Sequence, residues 1–146
     1  MEPITSFQEE YKFLSNFYPS TVHIMNGPLS VACPTVEHAF QALKTENVSE
    51  RTEIIKAVSP GAAKLLGRTC TMRSQWNEIK IQSMKSLLKQ KFKIPTLKAQ
   101  LVATGDRELV EGNHHGDVFW GVCKGKGENH LGLLLMEVRA ELGKGV

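Results

Sequence analysis

The sequence predicts an α+β domain, compact and mostly helical, with a small antiparallel β-sheet. Three observations predict it. Two short runs of alternating character, Thr21–Met25 and Leu29–Ala32, flank Asn26-Gly27-Pro28, and the hairpin is expected to turn at Asn26-Gly27. Six later segments carry helical spacing with capping residues or breakers at their ends. The 146 residues contain no repeat, linker or low-complexity tract, so the expectation is one domain over 1–146 with a core of its own.

Each element has a local reason. The N-terminal stretch mixes Phe7, Tyr11, Phe13, Phe17 and Tyr18 with turn residues and is expected to form short strands and loops before the hairpin. Thr35 is placed to cap a helix over residues 36–45. A second helix is expected from Ser49 to about Val58. Ser59-Pro60 opens a third, with Gly67 closing it. Residues 76–92 form a long helix with Ile81, Met84, Leu88 and Phe92 on one stripe. Pro95 opens another that stops at Gly105. Glu108–Glu111 is a candidate strand, and residues 113–128 form a glycine- and histidine-rich loop. Asn129 is expected to cap a last helix over 131–142, with Leu134, Leu135 and Val138 facing inward.

Composition narrows the function classes. Apolar residues make up 41% and charged residues 23%, which argues against disorder. A net charge of +3 suits an anionic small molecule and is too weak to mark a dedicated nucleic-acid binder. Three cysteines without a C-x-x-C pair indicate neither a disulfide framework nor a zinc knuckle, so a reducing cytoplasm is the expected location. Residues 1–10 lack the pattern of a signal peptide, and no apolar run reaches membrane-spanning length. No membrane partner is expected.

Four groups of residues could carry chemistry. On a helix, Glu37, Gln41 and Lys44 fall at i, i+4 and i+7 and share a face; Glu37, in the first turn, is favoured in its ionised form by the helix dipole. The bland alternative is a first-turn acid on a solvated face. Asn113–Gly121 sets Asp117 beside Trp120 and Gly121. Its adjacent His114 and His115 chelate poorly, so no metal is expected, and Asp117 is a candidate for holding a ribose hydroxyl or a water. Lys124-Gly-Lys126 before Asn129 and a helix start reads either as a phosphate cradle or as a mobile turn. It does not match a P-loop. Arg68, beside Gly67, can grip a phosphate with two donors, while Trp76 either stacks on a base or packs in the core.

These segments, in this order, resemble the NADAR family of YbiA-like N-glycosidases. The matching residues are Leu14–Phe17, Pro34–Ala42 with Lys44, Gly67-Arg68, Trp76, Lys91-Phe92, Leu101–Thr104, Leu109–Glu111, Asp117 with Trp120-Gly121, and Gly127–Gly132 followed by Leu134–Arg139. The resemblance runs from about Phe13 to Leu142. It implies a compact α+β domain that cleaves N-glycosidic bonds at ribose C1. Family substrates include phosphorylated riboflavin intermediates and ADP-ribosylated guanine, free or in nucleic acid. The family's essential glutamate falls on Glu37, its tryptophan on Trp76, and its late acid and Trp-Gly on Asp117, Trp120 and Gly121. Cys33 stands where the family often has an aromatic, and Val122-Cys123-Lys124 where it often has a further glycine and a longer loop; both departures bear on the substrate pocket.

The expectation drawn is an N-glycosidase that removes ADP-ribose from guanine, with a riboflavin-pathway intermediate as the alternative substrate. Glu37, Lys44, Asp117 and Trp76 are the expected catalytic residues. Asn16, Phe17, Gln41, Arg68, Trp120, Gly121, Lys124, Lys126 and Asn129 are the expected substrate contacts. A binding module for ADP-ribose or nucleotide without turnover, and a nucleic-acid-binding domain, are the alternatives of other classes. No cofactor or metal is expected, and the oligomeric state is left open.

Overall fold

A computed structural model describes residues 1–143; the last three residues of the expected domain span lie outside the described residues. The fold is α+β. About half of the chain is helical, and the antiparallel sheet is a two-stranded hairpin. In chain order the elements are β1 (Val22–Asn26), β2 (Leu29–Cys33), α1 (Val36–Leu43), α2 (Val48–Ile55), α3 (Pro60–Thr69), α4 (Trp76–Lys91), α5 (Pro95–Ala103), β3 (Gly112–Asn113), β4 (Val122–Cys123) and α6 (His130–Gly143). The described residues fall into two compact units, Asn16–Lys91 and Met1–Ser15 with residues 92–143.

Within the 16–91 unit, β1 pairs antiparallel with β2 from Val22↔Cys33 to Asn26↔Leu29. The loop is therefore Gly27-Pro28, not Asn26-Gly27. Gly27 takes φ +62°, the value a two-residue hairpin turn demands of its first position. Helix α1 is buried along nearly its whole length, from Val36 to Ala42, and packs against α2, α3 and α4. Thr35 caps it: its hydroxyl accepts the His38 N–H at 3.1 Å. The same hydroxyl lies 2.8 Å from His38 Nδ1, and His38 Nε2 lies 3.0 Å from the Ala57 carbonyl. A carbonyl can only accept, so Nε2 carries the proton and Nδ1 accepts from Thr35. A cap of this kind stabilises by about 1 kcal/mol.

Three expectations in this unit are corrected. Helix α2 ends at Ile55, short of Val58. Gly67 lies inside α3, which continues to Thr69. A Cβ at Gly67 would overlap the Gln41 side chain, so the glycine is where α3 meets α1, not where α3 stops. On α4 the buried residues are Trp76, Met84, Leu87, Leu88 and Lys91, while Ile81 is exposed.

In the other unit, a 3-10 helix over Glu9–Leu14 replaces the strands expected there and packs Phe13 and Leu14 inward. Helix α5 packs on α6, where Leu134, Leu135 and Val138 are buried as expected. The candidate strand at 108–111 is reduced to a single parallel bridge, Ile4↔Leu109. The strand pair of this unit is β3 with β4, parallel and two residues long. Among the described residues, no helix is long and apolar enough to cross a membrane.

Candidate functional site

The 16–91 unit brings together Glu37, Gln41, Lys44, Arg68 and Trp76, with Asn16 and Phe17 at its first residues. Glu37 is buried in the first turn of α1, and its N–H donates to the Asn16 carbonyl at 3.1 Å. Its carboxylate accepts from Gln41 Nε2 at 2.7 Å. The face shared by i and i+4 is thus turned into the protein, not into solvent. A carboxylate in that setting is held in one orientation by a neutral amide and the helix N-terminus.

Lys44 ends the same helix, half-buried. Burial lowers the pKa of its amine. Cys70 and Glu37 nearby act to raise it, and Lys64 and Arg68 act to lower it further. The net direction is down, toward a larger share of neutral, nucleophilic amine. Lys64 is absent from the sequence-derived site. The signal for it was its i, i+4 spacing to Arg68 on α3, beside the face where Ala63 and Gly67 are buried.

Three buried acceptors in this unit, Asn16 Oδ1, Asn26 Oδ1 and Gln41 Oε1, have no hydrogen-bond donor. Buried acceptors are ordinarily satisfied, and each one left open costs about 1–3 kcal/mol. Asn16 Nδ2 meets Met84 Sδ at 3.5 Å, so only the oxygen of that amide is unmatched. Phe17, the next residue after Asn16, is 43% exposed. Trp76, by contrast, is buried, with its ring centroid 4.9 Å from that of Phe40. It takes the core placement, one of the two readings its sequence position allowed.

The remaining sequence-derived residues lie in the other unit, where they build a tightly bonded loop. Asp117 Oδ1 accepts from the N–H groups of Phe119 and Trp120, at 3.2 and 2.9 Å. Asn113, which the sequence reading passed over, is the hub: Oδ1 accepts from Asp117 N–H, and Nδ2 donates to the carbonyls of Asp117 and Val122 and to Glu111 Oε2. Trp120 sits edge-on to Phe119 at 4.9 Å. Gly121 is buried where a Cβ would overlap Glu111. Asn129 does not cap α6 with its side chain. Its amide bonds Glu111 N–H and the Leu109 carbonyl. The N–H groups of His130 and Leu131 donate to the carbonyls of Phe119 and Trp120. The first turn of α6 therefore offers an anion fewer donors than its sequence suggests. Lys124 and Lys126 are exposed on a turn closed by reciprocal bonds between Cys123 and Lys126. Among the described residues, no group of three or more His, Cys, Asp or Glu side chains is arranged to hold a metal.

Comparison with known proteins agrees across the chain. A family model described as the NADAR domain matches residues 5–143. The chain is 36% identical over 141 residues to the N-glycosidase YbiA of Shigella flexneri, covering 94% of this chain and 85% of that protein. It is 37% identical over 148 residues to a riboflavin biosynthesis protein of Vibrio vulnificus; the match takes in 97% of this chain but spans only 39% of that longer protein. The NMR structure of the Escherichia coli protein YbiA superposes with a TM-score of 0.81 at 36% identity, over 99% of this chain and 88% of that one.

Proposed function

The chain belongs to the NADAR domain family, and from that premise we propose that it is an N-glycosidase. It hydrolyses the bond between ribose C1 and an exocyclic amine, with Glu37 and Lys44 as its catalytic pair. The observation that carries this reading is the lowered pKa of Lys44 on the helix that also holds the oriented carboxylate of Glu37. Relatives named N-glycosidases support it.

A glycosylamine can ring-open to an iminium ion at C1. The neutral Lys44 amine adds to that carbon. The adduct's lysine nitrogen carries an extra proton; the Glu37 carboxylate takes it and passes it to the leaving amine as the C1–N bond breaks. The new lysine–sugar iminium is then attacked by water, which loses a proton to Glu37. Release regenerates the Lys44 amine and leaves the free sugar. One water is consumed and no redox partner is needed. Asn16 Oδ1, lacking a donor, is suited to a ribose hydroxyl, and the partly exposed aromatic side chain of Phe17 to contact with the leaving base.

The substrate we infer carries phosphate, and ADP-ribose on guanine is the first choice. Arg68, with Lys64 one turn earlier on α3, places two cations beside Lys44, where a phosphate group of the substrate could be held. A second reading, a phosphorylated riboflavin intermediate, is favoured by the name of the Vibrio vulnificus relative. Side-by-side turnover of ADP-ribosyl-guanine and a ribosylamine 5-phosphate, with release of the base or amine followed by chromatography, decides between them. Release from neither would end the N-glycosidase reading.

A further inference from the structure

We propose that Lys91 is a positioning residue for Glu37, acting through the Asn16–Tyr18 segment on which the first turn of α1 rests; this builds on the reading of Glu37 as the central carboxylate. Met84, Leu88 and Lys91 fall at i, i+4 and i+7 on α4 and share one face. All three are buried, and Lys91 is 0% exposed. Lysine is among the residues least often found wholly inside a protein, because removing an ammonium from water is costly. The position continues an apolar stripe, so a methionine or leucine would serve packing alone.

The α4 face holds one segment of chain at two points. Asn16 Nδ2 donates to Met84 Sδ at 3.5 Å, and Lys91 Nζ stands over the Tyr18 ring, 5.8 Å from its centroid. Between those two points the segment presents the Asn16 carbonyl to the Glu37 N–H at 3.1 Å. Asn16 also carries the buried Oδ1 that lacks a donor. The path from Lys91 to the carboxylate thus runs through one ring contact, two residues of backbone and one hydrogen bond. Burial draws the Lys91 amine down to about 7, and strongly perturbed groups of this sort concentrate near functional sites.

The test is a cycle of Lys91→Met, Tyr18→Leu and the double variant, with Tyr18→Phe as the control that keeps the ring. Each of the first two is expected to lower kcat about ten-fold with KM within about two-fold, because a small displacement of a reacting group costs rate before binding. The double variant should be no slower than the slower single, as for two residues on one path. Tyr18→Phe should retain wild-type kcat. A second readout needs no substrate: hydrogen exchange at the Glu37 amide should quicken in Lys91→Met and Tyr18→Leu and not in Tyr18→Phe. Wild-type kcat in Lys91→Met, additive losses, or unchanged exchange at Glu37 would overturn the proposal. Should Lys91→Met fail to fold, Tyr18→Leu against Tyr18→Phe decides the matter. If the wild-type protein releases no amine yet Glu37 exchange responds as described, the positioning role stands and the proposed reaction falls.

Discussion

The side-chain amide of Gln41 donates to the Glu37 carboxylate over 2.7 Å while its oxygen lies against Gly67. That relationship ties the packing of α1 on α3 to the orientation of the carboxylate. Gly67→Ala sets two effects against each other. Alanine improves intrinsic helix propensity by about 1 kcal/mol. The added methyl overlaps a side chain that cannot swing away without leaving Glu37, and overpacking of this kind costs about 1–3 kcal/mol. The overlap is expected to win: thermal unfolding should show a lowered Tm, and kcat should fall because Gln41 is displaced. Unchanged kcat in a folded Gly67→Ala protein would show that the Gln41 contact has no catalytic consequence.

Glu37→Gln keeps the shape and the place for the Gln41 bond but removes the proton acceptor. A positioned acid–base group contributes about 10²–10⁴-fold, so kcat should drop by that order with the far-UV spectrum unchanged. Activity within a few-fold of wild type would remove Glu37 from the mechanism.

The hairpin, the α1 cap and the polar face of α1 were legible because each rests on local chemistry: Asn-Gly-Pro between alternating runs, Thr35 before a helical pattern, and residues at i, i+4 and i+7. What was not legible depends on tertiary contact. Gly67 looks like a helix stop in sequence, since a terminating glycine and a glycine at a close helix crossing are the same letter. Lys91 looks like the polar end of α4, and only packing shows it to be interior. The pair β3–β4 is too short to carry any periodicity. Asn129, a good capping residue by type, is drawn instead to the backbone of residues 109 and 111 by a chain segment remote in sequence.

Lys44 is expected to form an imine with the sugar. Borohydride added during turnover should reduce it to a stable secondary amine, detected by mass spectrometry as an addition the size of the substrate's ADP-ribosyl or 5-phosphoribosyl group on the peptide containing Lys44. Lys44→Arg keeps the charge but has no neutral amine at working pH, so it should give neither adduct nor turnover. An active Lys44→Arg that traps nothing would favour direct attack by water, with Glu37 as the base.

The buried amine of Lys91 makes stability depend on pH in a definite direction. Its pKa is drawn from 10.5 to about 7 in the folded protein by burial. Between those values the unfolded chain binds the proton and the folded chain does not. Stability therefore rises with pH across this window, and the penalty is full below about 7. Comparing Tm of wild type and Lys91→Met from pH 6.5 to 10 isolates the effect from other titrating groups. The difference should shift in favour of the wild type as pH rises; parallel curves would show that Lys91 keeps an ordinary pKa.

The last prediction concerns phosphate. Lys64 and Arg68 are one turn apart on α3, and both bear on the charge state of Lys44. Two roles follow from that placement, and they separate experimentally. If the pair grips substrate phosphate, Lys64→Gln and Arg68→Gln raise KM for a phosphorylated substrate and leave KM for its dephosphorylated form unchanged. If the pair serves only to lower the Lys44 pKa, the same variants lower kcat for both substrates near neutral pH and recover it at higher pH, where the Lys44 amine again loses its proton. The first pattern is expected to dominate in Arg68→Gln, because an exposed guanidinium offers paired donors to an oxyanion and acts on a neighbouring amine only through screened charge. In Lys64→Gln, with a half-buried lysine, both patterns should be visible. Equal KM values for phosphorylated and dephosphorylated substrates in the wild type would remove the phosphate requirement and, with it, the argument for ADP-ribose.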